Sequence, residues 1–285
     1  MGAREIGFSL LIPWLLKAYG PAVAFGVPGL FMLAATVTFW MGRHHFVHLP
    51  PAGKSYLKDV FGSDGKRVAS RLLVIYVLVA AFWSLFDQMG STWVLQAMQM
   101  DRTILGYELL PAQIQAMNPF LIIILIPIFS YYVYPLMNRY FDVTSGRKMC
   151  MGMFLAASPF LVTAWCESQI QLGNTPHISW QLLAYFLMTL AEVLLVITCM
   201  EFSYTQAPKR MKSLVMALFY LSISAGNLFT ALVNQVIQNP DGTTKLVGAS
   251  YHLFFAGFMG IVALIFAIYM RFYKEQHIIQ EESKQ

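Results

Sequence analysis

Apolar residues run along this chain in long blocks separated by short polar segments. The blocks cover about 6–18, 21–42, 71–97, 116–137, 149–171, 179–206, 213–238 and 249–273. The last seven reach the ~20 residues that a helix needs to cross a bilayer, and the first is a partial span. None shows the short period-two alternation of a membrane β-strand. The pattern therefore predicts an all-α membrane protein. Pro28, Pro119, Pro127, Pro135 and Pro159 fall inside or beside the blocks, where membrane helices tolerate proline and use it to bend. Tyr19-Gly20-Pro21 reads as a tight turn joining the first two helices.

Composition sharpens that picture. Hydrophobic residues make up 58% of the chain and charged residues only 12%, about half the share of a soluble domain. Mean hydropathy is +0.58. The basic residues gather in alternate loops: Arg43, Lys54, Lys58, Lys66, Arg67 and Arg71, then Arg139, Arg147 and Lys148, then Lys209, Arg210 and Lys212, then Arg271 and Lys274. Lys and Arg favour the cytoplasmic side, so these loops and the carboxy terminus are expected there. The formal net charge of +5 is accounted for by inner-face loops and does not call for a nucleic-acid partner. The expected setting is a multi-pass membrane protein.

Four segments follow from the same pattern. Residues 1–42 form a helical hairpin, 43–70 a linker with Pro50-Pro51, Gly53, Gly62 and Gly65, 71–274 a six-helix bundle, and 275–285 a tail. Cys150, Cys166 and Cys199 sit in or beside spans without ligand spacing and read as buried thiols. His44, His45 and His48 have no Cys or acidic companion and read as a hydrated loop, with no metal site. No phosphate loop, zincin, CxxC or Gly-x-Ser-x-Gly pattern occurs, so neither an enzyme nor a cofactor is expected.

Polar residues inside the spans mark faces turned to a cavity or to other helices. Ser84, Asp87 and Ser91 share a face at helical spacing, with Gln88 beside them and Trp83 one turn from Asp87. Asn118 stands before Pro119, where the helix is expected to bend. Thr198, Glu201 and Thr205 align, as do Ser224, Asn227, Ala231 and Asn234. Such seams also glue helices without any substrate. Glu192 is a second intramembrane carboxylate. Nine residues separate it from Glu201, which in a regular helix places the two about 180° apart. The face carrying Thr198 and Thr205 favours Glu201 as the functional carboxylate and leaves Glu192 a pairing role.

Strings on four helices carry a resemblance. Glu201 to Pro208, EFSYTQAP, resembles the tenth-helix signature of the proton-dependent oligopeptide transporters, a branch of the major facilitator superfamily. Phe82-Trp83-Ser84-Leu85-Phe86-Asp87-Gln88 with Gly90-Ser91 and Trp93-Val94-Leu95-Gln96 resembles that family's seventh helix. Gln115-Ala116-Met117-Asn118-Pro119 is similar to the entry of its eighth helix, and Lys212 to Ala217 through Gly226-Asn227 to its eleventh. The resemblance covers essentially the whole chain and is to bacterial members, which implies the bacterial cytoplasmic (inner) membrane as its setting. It implies the carboxy-terminal six-helix bundle of that fold, preceded by the last one to two helices of the amino-terminal bundle. It also implies that the two extra helices some relatives carry between bundles are absent from residues 43–71.

The resemblance further implies proton-coupled symport of di- and tripeptides, with H+ as the coupling ion and no other cofactor. Glu201 matches the carboxylate that receives the peptide amino terminus. Asn118 matches an amide at the same end of the peptide, and Trp83 an aromatic pocket wall. Asp87 matches an acidic gate position, and Glu201 and Asp87 are the candidates for proton coupling. Thr205 and Phe219 are further candidates for the substrate wall. The family's basic residues and its ExxER-type cluster lie on helices one to four, which this chain lacks, so it is expected to be a fragment that needs those helices for function. Nitrate or another small solute is the alternative cargo, and a non-transporting membrane scaffold subunit the alternative class.

Overall fold

The computed structural model describes residues 2–46, 62–207, 211–240 and 243–273. The expectations for the linker between 47 and 61, for Pro208 and for the tail from 274 lie outside the described residues. The chain starts with α1 (Gly2–Tyr19), which continues through Pro13. Seven helices long and apolar enough to cross a membrane follow: α2 (Pro21–His44), α3 (Gly65–Ala97), α4 (Pro111–Met137), α5 (Ser145–Gln171), α6 (Ser179–Gln206), α7 (Lys212–Ile237) and α8 (Ala249–Phe272). Gly20 joins α1 to α2 at φ 82, a conformation glycine adopts without steric cost. The helical run of α3 begins at Ser63, ahead of the boundary expected near residue 71. Hydropathy marks only the lipid-immersed part of a helix, whereas Lys66, Arg67 and Arg71 are good helix formers that prolong it beyond the membrane.

Four spans are interrupted, α5 by a turn at Ala156–Ala157 just ahead of Pro159. In α3 the α-helical run stops at Phe86, passes through a 3-10 turn at Asp87–Gly90 and resumes at Thr92–Ala97. The spacing that aligned Ser84, Asp87 and Ser91 therefore does not describe one continuous helix face. In α4 a π-turn occupies Phe129–Val133, just ahead of Pro135. Proline has no N–H to return to the carbonyl four residues back, and a local change of helical register accommodates that loss. In α6 a second π-turn covers Val193–Ile197, between Glu192 and Thr198.

The core lies between α3, α5, α6 and α8. It contains Leu72, Ile75, Phe82, Met149, Phe160, Tyr185, Met188, Phe255 and Met259. In lipid the hydrophobic effect does not drive helices together; close packing and interhelical hydrogen bonds do. Both are present. The Tyr185 hydroxyl donates to Met89 O at 3.0 Å, and Gln181 Nε2 to Trp93 O at 2.8 Å, so α6 is pinned to the interrupted part of α3. Gly152 of α5 lets its helix approach the π-turn of α6, where a Cβ would stand 2.9 Å from Leu195 N and 3.0 Å from Ala191 O. At the periphery, α1 lies against α4, and Gln113 Nε2 donates to Leu10 O at 3.1 Å.

One end of the bundle carries the basic segments. The other carries a small β-hairpin that hydropathy did not announce, β1 (Thr103–Ile104) paired with β2 (Tyr107–Glu108). Its tip places Leu105 at φ 51 and Gly106 at φ 83, the positive values a two-residue hairpin turn requires. Arg102 organises it by donating to Ala97 O and Leu109 O and pairing with Glu108. Asp101 and His177 bridge the hairpin to the loop before α6.

The Asp101 side chain accepts the Thr103 N–H at 3.0 Å, and this bond holds its carboxyl below the usual carboxylate range. A carboxyl whose value is lower when folded contributes order above its unfolded value, about 3.9, and loses it as pH falls through the folded value. Hydrogen exchange at the Thr103 amide is expected to accelerate only below about pH 4 relative to its intrinsic rate. In Asp101→Ala it should be fast at every pH. Equal protection in both proteins would remove Asp101 from the hairpin.

Candidate functional site

The expected site residues separate into three places. Asp87 sits at the 3-10 turn of α3, exposed, and accepts Asn227 Nδ2 of α7 on Oδ2 at 2.6 Å. Thr230, one turn on, donates to Ser84 O at 3.0 Å, so α7 grips α3 at two levels. Of the α7 seam, Asn227 is engaged by Asp87 and Asn234 by the Tyr251 hydroxyl at 3.0 Å, while Ser224 bonds within its own helix.

Asn118 is the second place. Its Nδ2 donates to Glu192 Oε2 at 2.8 Å and to Thr189 Oγ1 at 3.1 Å. The amide of α4 thus meets the carboxylate that sequence spacing had set aside, and not Glu201. Two observations explain the difference. The π-turn absorbs one residue of the nine between the two glutamates, which reduces their separation around the helix from about 180° to about 80°. Both can then turn toward α4. Depth separates them instead: Glu192 lies thirteen residues from Ser179 and fourteen from Gln206, the middle of α6, whereas Glu201 lies five residues from Gln206. Substrate sites of secondary transporters lie near the bilayer midplane.

A cavity of about 260 Å³ connects the first two places. Asp87 and Asn118 both line it, with Ser9 of α1, Gly90, Gln115 and Pro119. A Cβ on Gly90 would stand 3.0 Å from Gln115 Nε2, so the glycine lets the Gln115 side chain lie close over the turn. Sequence reasoning missed Ser9, Gln115 and Thr189, and gave Glu192 only a pairing role. The available signal was the mid-helix position of Glu192, which its facing argument overrode.

Trp83 and Phe219 lie close by but inside the protein. They are 8% and 4% exposed and meet edge-to-face at 6.1 Å. Tyr76 contacts Phe219 at the same centroid distance from the other side. Among the described residues the buried Trp83 indole N–H has no hydrogen-bond partner, an uncommon cost for a group that usually finds one. These aromatics form the packed wall between α3 and α7, with Trp83 buried one turn from the exposed Asp87.

Glu201 is the third place. It is exposed near the basic end of α6, within electrostatic range of Tyr134, whose ring carries Lys148 Nζ 3.9 Å from its centroid. Thr205 is exposed too and returns its hydroxyl to Phe202 O at 2.7 Å. Neither touches Asn118 or Asp87. Chemically, the centre of the bundle offers a carboxylate, an amide and a hydroxyl drawn from two helices, with a second carboxylate across a small cavity. Such a set accepts hydrogen bonds from an ammonium group or holds a proton. Among the described residues no group of three His, Cys, Asp or Glu side chains could hold a metal ion.

The sequence profile of the POT family matches residues 8–64 and 62–254. Solute carrier family 15 member 2 of Homo sapiens is 34% identical over 184 residues, which covers 52% of this chain and 25% of that protein. Peptide transporter 3 of Caenorhabditis elegans is 36% identical over 182 residues, covering 52% and 26%. The chain thus spans about a quarter of the length of these curated relatives. Among solved structures, an auto-inhibited POT family peptide transporter superposes with a TM-score of 0.87 at 30% identity, over 98% of this chain and 70% of that one. The POT family transporter PepTSo does so with a TM-score of 0.81 at 33% identity, over 92% and 67%.

Proposed function

Because this chain belongs to the POT family, we propose that it supplies the carboxy-terminal half of a proton-coupled symporter of di- and tripeptides, with H+ as the only coupling ion. The bonded set Asn118–Glu192–Thr189 at the middle of the bundle carries the reading. Short peptides differ in side chain but share an ammonium, a carboxylate and a backbone. In the proposed binding mode, Glu192 takes the charge of the ammonium and the Asn118 Oδ1 accepts one of its protons. Charge-assisted bonds of this kind are among the strongest available. Trp83 and Phe219 back the pocket as a rigid wall. Asp87, held by Asn227, forms one side of a gate.

The peptide carboxylate requires a cation, and none lines the Asp87–Asn118 cavity among the described residues. In this reading the cation, and with it the partner face of the gate, comes from amino-terminal helices outside this chain. Transporters of this kind alternate by rocking two halves about a central site. Glu201, beside Tyr134 and near Lys148, is placed to act on the basic side, which the reading assigns to the cytoplasm of a bacterial inner membrane together with the carboxy terminus. Nitrate as cargo finds no support in a central set that contains a carboxylate, since a fixed negative charge disfavours an anion.

The test is pH-gradient-driven uptake of labelled dialanine into proteoliposomes. One sample holds this chain, and the other a chimaera that joins it to the first four helices of PepTSo. Uptake by the chimaera alone, abolished by collapsing the gradient, is the expected result. Gradient-driven uptake by the chain alone would overturn the half-transporter reading, and absence of uptake in both would overturn peptide symport.

A further inference from the structure

We infer that the hairpin end of the bundle holds a second binding site, for a small organic ammonium, separate from the central set. A cavity of about 470 Å³ opens there between the ends of α3, α5, α7 and α8, and it shares no lining residue with the Asp87–Asn118 cavity. Its lining includes Glu167, His252, Gln96, Asn234 and Tyr251, and no Lys or Arg.

Glu167 provides the charge. It is partly buried near the end of α5, and among the described residues the one ion pair joins Arg102 to Glu108, so Glu167 has no cationic partner there. An ionisable group in a membrane helix characteristically faces the bundle interior or a water-filled cavity. The surrounding amides hold it in place. Gln96, 2% exposed, donates Nε2 to Glu167 Oε2 at 2.9 Å and to Thr163 O at 2.9 Å. Gln181, fully buried, donates to Gln96 Oε1 at 3.4 Å and to Trp93 O at 2.8 Å. The chain from Trp93 through Gln181 and Gln96 fixes one carboxylate oxygen and leaves the other for the cavity.

His252 provides the second contact. It is 4% exposed, and its Nδ1 lies 3.1 Å from Thr163 Oγ1. With that hydroxyl's proton on Phe160 O at 3.2 Å, Nδ1 takes the donor role. A neutral imidazole with its proton on Nδ1 has a lone pair on Nε2, and Nε2 has no partner among the described residues. The Tyr251 hydroxyl likewise spends its proton on Asn234 Oδ1 at 3.0 Å, leaving oxygen lone pairs and an aromatic face suited to a cation.

The cavity therefore presents one negative charge with imidazole and hydroxyl acceptors beside it, among amides and hydroxyls that can also donate. A divalent metal is poorly served, since two side-chain ligands fall short of the three or four that protein sites supply. An ammonium, with three protons to give and one charge to neutralise, uses the carboxylate and imidazole together.

The experiment is calorimetric titration of this chain in nanodiscs with propylammonium chloride, with sodium propionate as the reference. Binding of propylammonium and none of propionate is expected. Glu167→Gln keeps an acceptor for Gln96 while removing the charge, and should weaken propylammonium at least tenfold without lowering the unfolding midpoint. His252→Phe should weaken it several-fold. In ¹⁵N-histidine spectra, the His252 Nε2 signal should shift on titration toward the hydrogen-bonded range. Dialanine and N-acetyl-dialanine titrated into Glu192→Gln, which isolates this end, identify the source. Binding of dialanine alone points to a peptide amino terminus, and binding of neither points to a free amine. The inference is overturned if propylammonium does not bind, if Glu167→Gln leaves its affinity unchanged, or if Glu192→Gln alone removes it. None of these outcomes depends on whether the central set moves peptides.

Discussion

Glu192→Gln is expected to abolish dialanine binding at the centre of the bundle, whereas Glu201→Gln is expected to retain most of it. The measurement is equilibrium binding of labelled dialanine to the chimaera carrying the PepTSo amino-terminal helices. Removing one partner of a desolvated, hydrogen-bonded charge pair costs ~2–5 kcal/mol, so at ~1.4 kcal/mol per tenfold the affinity should fall by about 30-fold to 4,000-fold. Glutamine is close to isosteric and still accepts from Asn118 Nδ2, so the fold should survive and the loss should report the charge. Glu201 lies near the basic end and touches neither Asn118 nor the cavity shared with Asp87. Its replacement should act on uptake rate more than on affinity. The opposite result, with affinity lost in Glu201→Gln and kept in Glu192→Gln, would return the ammonium site to the EFSYTQAP string.

Gly226→Ala should be the most damaging single methyl added to this protein. At that position a Cβ would stand 2.8 Å from Trp83 Cβ and 2.9 Å from Ser84 N, and closer still to Ala80 O. Two of the three are backbone atoms and cannot swing aside, so α7 has to move away from α3. Overpacking of this kind costs ~1–3 kcal/mol. It would also stretch the Asn227–Asp87 and Thr230–Ser84 bonds, which sit one residue and one turn away. Gly257 of α8 is the control, because nothing lies within 4 Å of a Cβ built there. Gly257→Ala should be neutral or slightly stabilising, as alanine is the better helix former. Thermal unfolding in detergent, followed by Trp83 fluorescence in a background with the other tryptophans replaced, checks both. A wild-type midpoint for Gly226→Ala would mean that α3 and α7 do not pack as closely as described.

These two results probe different parts of what could be read in advance. Gly226-Asn227 was visible as part of a motif, but its reason was not, because a close approach is a property of two helices. Asp87 and Asn118 were legible as site residues from their polarity inside apolar spans. That they share one cavity, with Ser9 contributed from α1, required the helices to be placed. Trp83 and Phe219 were legible as aromatic neighbours of the site, yet their burial against Tyr76 follows from the α3–α7 contact alone. The Glu167–His252 cavity was not anticipated at all, since its residues come from the ends of separate helices and make no local pattern.

The sequence by itself determined the seven membrane-length helices and their order. A backbone in hydrocarbon must satisfy its own hydrogen bonds, so apolar length is sufficient to specify a helix. It also determined the family, through short strings on four of those helices. What the tertiary structure decided was which way the polar side chains point. Facing depends on helical phase, and phase is reset wherever the register of backbone hydrogen bonds changes. The π-turn at Val193–Ile197, packed against Gly152, and the 3-10 turn at Asp87–Gly90 each make such a change. A count of 100° per residue carried straight through the π-turn puts Glu192 and Glu201 on opposite faces; the turn brings their phases closer, and Glu192 is the one bonded to Asn118.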